Sequence, residues 1–149
     1  MNNTRDADSY RDNFSFVPKY GEDVLKLLTV GPGSKVVDLG CGNGSLTDRL
    51  QSLGYQVMGI DASPAMLEIA RKEYPNISFQ QADALSFQLD TAADAIFSNA
   101  VFHWIDADKQ ETLLRNVYRK LRHVAELVCE FRGYGCGEAV HSTLEELFR

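Results

Sequence analysis

Three aspartates, Asp38, Asp61 and Asp83, each follow a short apolar run, in "VVDLGCGNGSL", "GIDASPAML" and "QADAL". A carboxylate accepts hydrogen bonds and carries no donor of its own, so these positions suit ligand groups that offer N–H or O–H. Asp61 can accept from both hydroxyls of a ribose, and Asp83 from an exocyclic amine such as adenine's. Asp38 places negative charge beside glycines 40, 42 and 44, which suits an ammonium-bearing ligand better than a pyrophosphate. The glycines stand where a strand turns into a helix, and there bare backbone can adopt strained dihedrals and approach a ligand closely. Their spacing is G-x-G-x-G. The dinucleotide fingerprint G-x-G-x-x-G would need a glycine where Ser45 stands.

Two further side chains have types suited to chemistry. His103 follows the fourth apolar run at the sheet edge where open α/β folds bind ligands, and its ring can accept a proton or orient a carboxylate. Trp104 beside it is a candidate wall of an acceptor pocket. Each has a plainer reading. His103 and Trp104 also read as packing, the glycines as a tight turn, Asp83 as a loop acid and Met66 as a gap-filling core residue. Cys41, inside the glycine turn, reads as a small packing residue because nothing beside it would lower its pKa.

The elements that must carry these residues alternate between strand-like and helix-like runs, the pattern of an α/β fold with a parallel sheet. A helix is expected over 14–28, where Val24, Leu25 and Leu28 share a face, stopped by Gly31-Pro32-Gly33. Strands are expected at Lys35 to Leu39, Gln56 to Ile60, Ile77 to Gln80, Ala93 to Ser98 and Leu127 to Phe131. A helix over 45–53 sets Leu46, Leu50 and Leu53 on one face, with Gly54 as its stop. Ser63-Pro64 opens another, a hydroxyl N-cap followed by proline at the first helical position, ending before Pro75. Asp108 with Glu111 resembles a capping box for a helix through Tyr118. An amphipathic closing helix over 138–148 turns Val140, Leu144 and Leu147 inward.

The chain's 149 residues, 44% of them hydrophobic, fit a single domain spanning 1–149, with 1–12 as a flexible arm. A net charge of −6 argues against a nucleic-acid partner, whose affinity comes from clustered Lys and Arg. Cys41, Cys129 and Cys136 lack the paired spacing of a zinc site or disulfide framework, so no metal and reduced thiols are expected. No apolar run approaches the ~20 residues of a membrane span, and the polar start has no signal-peptide core. The expectation is a cytoplasmic protein without membrane contact.

"VVDLGCGNG", "GIDASPAML", "QADAL" and "ADAIFSNAVFHWI", in this order, resemble the motifs of class I S-adenosylmethionine-dependent methyltransferases, nearest the small-molecule branch that includes trans-aconitate methyltransferase. The resemblance covers Phe14 to roughly Leu147. It implies a Rossmann-like fold with strand order 3-2-1-4-5 and helices on both faces, S-adenosylmethionine as cofactor, and methyl transfer to a small-molecule acceptor, a carboxylate in the trans-aconitate-like case. It also implies site roles. Gly40, Cys41, Gly42 and Asn43 would contact the methionine portion through backbone, near Asp38; Asp61 would hold the ribose; Ala62 and Met66 would flank the adenine; Ala82, Asp83 and Ala84 would read its edge; Asn99 would close the floor near the sulfonium. His103 would act on the acceptor beside Trp104, and Tyr10, Phe14, Phe16 and Tyr20 would lie where the family folds a lid.

The chain departs from that pattern in two places. Where relatives turn into strand five through Pro-Gly-Gly, it has His123, Val124 and Ala125, and Leu114, Val117, Leu121, Val124 and Val128 continue a helical period. One long helix therefore stands against helix, turn and strand, and the β-rich "LVCEF" favours the strand. Relatives also continue into two further strands, which implies a short form lacking them. An enzyme is expected, with a non-catalytic cofactor-binding paralogue acting through a protein partner as the alternative. An exposed strand five would pair edge to edge in a homodimer or leave the chain prone to aggregation.

Overall fold

The computed structural model describes residues 17–99, 101–130 and 145–147. Helix α1 (Val17–Leu25) ends at Leu25, ahead of the Leu28 that the periodicity predicts; residues 14–16 lie outside the described residues. Val24 and Leu25 are buried, and the amides of Leu27 and Leu28 close a last turn onto their carbonyls at 3.0 and 3.2 Å. Then follow β1 (Lys35–Leu39), α2 (Ser45–Ser52), β2 (Gln56–Asp61), α3 (Pro64–Glu73), β3 (Ser78–Gln81) and β4 (Ala93–Asn99). Short 3₁₀ turns at Phe102–Trp104 and Ala107–Lys109 lead into α4 (Gln110–Lys120) and β5 (Leu121–Glu130). The strands form one parallel sheet in the order β3-β2-β1-β4-β5, as expected.

Because successive strand residues point to opposite faces, the sheet divides its apolar side chains between two cores. Val37, Leu39, Ile60 and Ile96 meet Leu113, Leu114 and Val117 of α4 on one side. Val36, Ala95, Phe97 and Val128 meet Val24 and Leu25 of α1 and Leu50 of α2 on the other. Helices on both faces are thus a consequence of alternation in strands buried twice over. Ser63 caps α3 as its sequence predicts, its hydroxyl accepting from the Met66 amide at 3.3 Å.

Other local expectations give way. Leu53 is 47% exposed rather than core-facing, because it is the residue at which α2 ends, before Gly54 takes φ 97°. No capping box forms at Asp108: Lys109 precedes α4 without a side-chain cap, the Asp106 carbonyl takes the Lys109 amide at 2.9 Å, and Glu111 pairs with Arg115 at 2.8 Å. Strand five starts at Leu121, ahead of the expected Leu127, and the long-helix alternative is overturned by its pairing with β4. Ala93 faces Leu121 and Ala95 faces Glu126, so β4 advances two residues (95 − 93) while β5 advances five (126 − 121). The excess forms an irregularity around His123, Val124 and Ala125, where Val124 holds φ 63° with its side chain 92% exposed. Beyond it Glu126 ties β5 to the segment after α1, accepting from the Thr29 amide and hydroxyl at 2.7 Å each and the Val30 amide at 3.0 Å. Partial burial pushes the Glu126 carboxyl up, but these donors outweigh it and hold it below the usual carboxylate range.

Phe131 lies outside the described residues, as do Val140 and Leu144 of the expected closing helix and the arm over 1–12. Residues 145–147 are helical; Leu147 packs against the α4-side core and Glu146 meets Arg115 at 3.0 Å. Among the described residues β5 pairs with β4 alone, which is the edge on which the expected homodimer rests, and no helix is long and apolar enough to cross a membrane.

Candidate functional site

β1 and β4 are neighbours, yet β1 leads into α2 on one face while β4 leads toward α4 on the other. That divergence opens a crevice at the carboxyl ends of the strands, the place where open α/β sheets bind ligands. The Gly40–Asn43 loop follows β1, Asp61 ends β2, Asp83 follows β3, and Asn99 ends β4. The predicted cofactor residues therefore share one end of the sheet.

Gly40, Gly42 and Gly44 all have left-handed backbone, with φ of 79°, 54° and 84°. The space freed by their missing side chains goes to the protein itself. A Cβ on Gly40 would lie 2.1 Å from Val101 Cγ2, one on Gly42 3.2 Å from Met66 Cε, and one on Gly44 2.9 Å from Phe79 Cζ. The loop's donors are likewise committed. The amides of Gly40 and Cys41 both reach the Ile60 carbonyl, at 2.7 and 3.0 Å, and that of Gly44 reaches the Cys41 carbonyl at 3.0 Å. Gly42 donates to Asp61 Oδ2 at 2.9 Å and Ser45 to Asn43 Oδ1 at 3.1 Å. A phosphate cradle needs convergent N–H groups, and here five of them are turned inward.

Asp61 is fixed from two sides, its Oδ2 by Gly42 and its Oδ1 by the Ser63 amide at 2.8 Å. Each carboxylate oxygen keeps a lone pair for a further donor, so the side chain is pre-oriented and still able to grip a diol. Asp38 is only 2% exposed, and Thr47 donates its hydroxyl to Oδ2 at 2.7 Å. Burial pushes the Asp38 carboxyl up to about 7, against the lowering effect of Thr47 and with a smaller push from the Asp61 charge. Where such a carboxyl is ionised, the low dielectric strengthens its attraction for a nearby cation.

Asp83 is exposed, its Oδ1 accepting from the Leu85 amide at 2.8 Å and its carbonyl from Ser86 and Phe87 at 3.1 and 2.9 Å. It therefore shapes its own turn. The turn is tied to Asp61 by the Ala82 amide, 3.0 Å from the Asp61 carbonyl, and to α4 by Asn116 Nδ2, 3.2 Å from the Ala84 carbonyl. Ala62 is exposed and Met66 half-buried beside Gly42. Asn99 Oδ1 is buried with no partner among the described residues. Its Nδ2 lies 3.2 Å from where a Cβ on Gly21 would stand, which brings α1 to the rim of the crevice.

His103 and Trp104 sit in the 3₁₀ turn after β4, with Trp104 46% exposed. The His103 side chain lies outside the described residues, as do those of Tyr10, Phe14, Phe16 and Tyr20. Cys41 is buried, and its thiol is pushed far up by that burial and by Asp38 and Asp61, which suits packing against Gly59 and not nucleophilic attack. No group of three metal-ligating side chains exists among the described residues. Thr47, Val101, Gln110 and Asn116 escaped sequence reasoning, since each acts through a partner that only the tertiary fold supplies.

Comparison with known proteins agrees with this geometry. Residues 36–123 match the family described as "Methyltransferase domain". An uncharacterised methyltransferase of Schizosaccharomyces pombe is 35% identical over 134 residues, covering 87% of this chain and 52% of that protein. A trans-aconitate 2-methyltransferase of Methylobacterium nodulans is 38% identical over 85 residues, covering 56% and 33%. The chain thus spans about half the length of the first relative and a third of the second. The crystal structure of a TehB-like SAM-dependent methyltransferase from Corynebacterium glutamicum superposes with a TM-score of 0.76 at 26% identity, covering 96% of this chain and 81% of that one. With the domain match running from β1 into β5 over a sheet of this strand order, the chain belongs to the class I S-adenosylmethionine-dependent methyltransferase family.

Proposed function

We propose that this chain binds S-adenosylmethionine across the ends of β1, β2 and β3 and serves methyl transfer to a small carboxylate acceptor lodged beyond β4. The observation that carries the reading is the glycine loop, whose amides are committed inside the protein while Asp38 and Asp61 stand beneath it. Such a loop offers carbonyl oxygen and negative field, which suit an ammonium and a diol and repel a pyrophosphate. The Gly40–Asn43 backbone and Asp38 would hold the methionine end, Asp61 the ribose, Ala62 and Met66 the faces of the base, and the 82–84 turn its edge. Asn99 would close the floor, its buried Oδ1 having no partner among the described residues. When bound, the cofactor supplies a methyl group already activated on a sulfonium.

The chain's own task is then alignment and exclusion of water. A carboxylate acceptor is ionised at neutral pH and needs no base, so His103 would orient it and Trp104 would wall the pocket. The trans-aconitate 2-methyltransferases among the relatives support the carboxylate class. The test is calorimetric titration with S-adenosylmethionine and S-adenosylhomocysteine, followed by methyl transfer to trans-aconitate and other small di- and tricarboxylic acids. Micromolar binding with transfer supports the proposal. Binding without transfer to any acid would favour a cofactor-binding paralogue acting through a partner, and tight NADH binding instead would overturn the cofactor assignment.

A further inference from the structure

Gln110 opens α4 and is completely buried, an unusual place for a carboxamide. Its Nε2 donates to the Phe102 carbonyl at 2.7 Å and to the Ile105 carbonyl at 2.9 Å. Those two carbonyls bracket His103 and Trp104. Its Oε1, by contrast, is buried with no partner among the described residues. The orientation is nevertheless fixed, since a flipped amide would set oxygen against two oxygens. An apolar side chain of the same length would spare the buried Oε1 but withdraw the donors from the Phe102 and Ile105 carbonyls, so the carboxamide is held there by what it does for the turn. The turn is anchored in the core by Phe102, which is completely buried with Val101 and Ile105 packed against the same cluster. Its backbone closes through the Trp104 amide to Val101 at 3.0 Å and the Ile105 amide to Phe102 at 3.2 Å, and the Gln110 amide adds side-chain donors to the carbonyls at its two ends.

We propose that Gln110 is a positioning residue for the acceptor side of the site: its side-chain amide clamps both ends of the 102–105 turn and so sets the course of the backbone that carries His103 and Trp104. This rests on the reading that the turn borders the methyl acceptor. The same helix holds the adenine-side turn through a different amide, Asn116, which donates to the carbonyls of Ala84 and Phe87 at 3.2 and 3.5 Å. The two halves of the site are therefore mounted separately on α4. Disturbing Gln110 should move the acceptor side and leave cofactor binding in place.

Trp104 is the only tryptophan in the chain, so its fluorescence reports the turn without any acceptor being known. The experiment compares the full-length chain with Gln110→Met, which keeps the length and removes the donors, and with Gln110→Glu, whose anion would face the two carbonyls. All are measured with saturating S-adenosylhomocysteine, which holds the folded state by mass action. For Gln110→Met we expect an acrylamide quenching constant of Trp104 at least doubled, an S-adenosylhomocysteine Kd within about twofold of the parent, and a KM for trans-aconitate raised tenfold or more. For Gln110→Glu, Trp104 quenching should fall as pH drops from 7 to 5 and the carboxyl regains a donor, a slope absent from Gln110→Met. Unchanged quenching in both variants overturns the proposal. So does loss of S-adenosylhomocysteine binding in step with quenching, or failure of Gln110→Met to fold with ligand present, since Gln110 would then serve the fold as a whole. If the parent chain binds no S-adenosylhomocysteine, or binds it and methylates no acid, the functional reading fails. The quenching comparison still decides the clamp.

Discussion

Val124 is a β-branched residue held at φ 63°, in backbone that L side chains adopt only at a cost of roughly 1–2 kcal/mol. Its side chain is 92% exposed, so truncation to glycine removes only about 10 Å² of buried apolar surface, worth roughly 0.2 kcal/mol. Glycine also loses more backbone entropy on folding, about 0.5–1 kcal/mol. The strain relieved exceeds these losses, and Val124→Gly should stabilise the chain by roughly 0.5 kcal/mol, or one to two degrees in Tm at this size. Val124→Asn should gain at least as much, because asparagine tolerates left-handed backbone without the full entropy loss. Val124→Ala keeps a Cβ and should gain less than either. The assay is urea unfolding of the four proteins side by side, with m-values checked for constancy. If the glycine and asparagine variants unfold at or below the parent's midpoint, Val124 is not strained in solution and the account of the β4–β5 connection is wrong. The family's Pro-Gly-Gly turn places a glycine at this position, so the test also asks whether the backbone kept a turn whose residues have gone.

Asp61→Ala should weaken S-adenosylhomocysteine binding by about 1–3 kcal/mol, roughly five- to 150-fold in Kd, because the proposed ribose contact and the amides of Gly42 and Ser63 lose their common acceptor; an unchanged calorimetric Kd removes it from the site. Asp38, raised by burial to about 7 from an unfolded value of 3.8, contributes stability that is complete below the unfolded value and lost as pH rises through about 7, up to roughly 4 kcal/mol. Ligand-free unfolding midpoints should therefore fall from pH 5 to pH 8, and Asp38→Asn should flatten the slope; an equal slope in both proteins assigns it elsewhere. Gly40→Ala should destabilise by roughly 2–5 kcal/mol, combining left-handed strain with overpacking against Val101. Adding Val101→Ala should recover the overpacking share alone, and full recovery in the double variant would show that the dihedral carries no cost.

The strand ends and α3 were legible because their causes are local. Ser63-Pro64 caps a helix through its own side chain, the apolar run before Asp38 is a buried strand, and the run before Asp61 is a strand buried at Gly59 and Ile60. The start of β5 was not legible, since Leu114, Val117, Leu121, Val124 and Val128 continue a helical period while only the β-rich "LVCEF" speaks for a strand. Only the pairing of Leu127 and Val128 with Ile96 and Phe97 decides between them. The Asp108–Glu111 box failed for a related reason, because Gln110 is drawn inward by carbonyls of a preceding turn and α4 begins there. Thr47 lies nine residues from Asp38, and nothing short of α2 packing on β1 announces their bond. The glycines were read as a site marker, and their missing side chains make room for Val101, Met66 and Phe79, which nothing in the local spacing announces.

The irregular start of β5 has a consequence for how the chain tolerates change in length. The surplus residues are absorbed between Leu121 and Glu126, at the end of the sheet away from the crevice, and from Ala95↔Glu126 onward the pairing runs residue for residue to Asn99↔Glu130. A slip of one residue at that far end would exchange the two faces of the strand. Placing the surplus early means the count is restored before the chain reaches the ligand. Insertions or deletions over 122–125 should accordingly be accommodated as loop variation, whereas a single deletion between Glu126 and Glu130 would carry its error to the floor of the site.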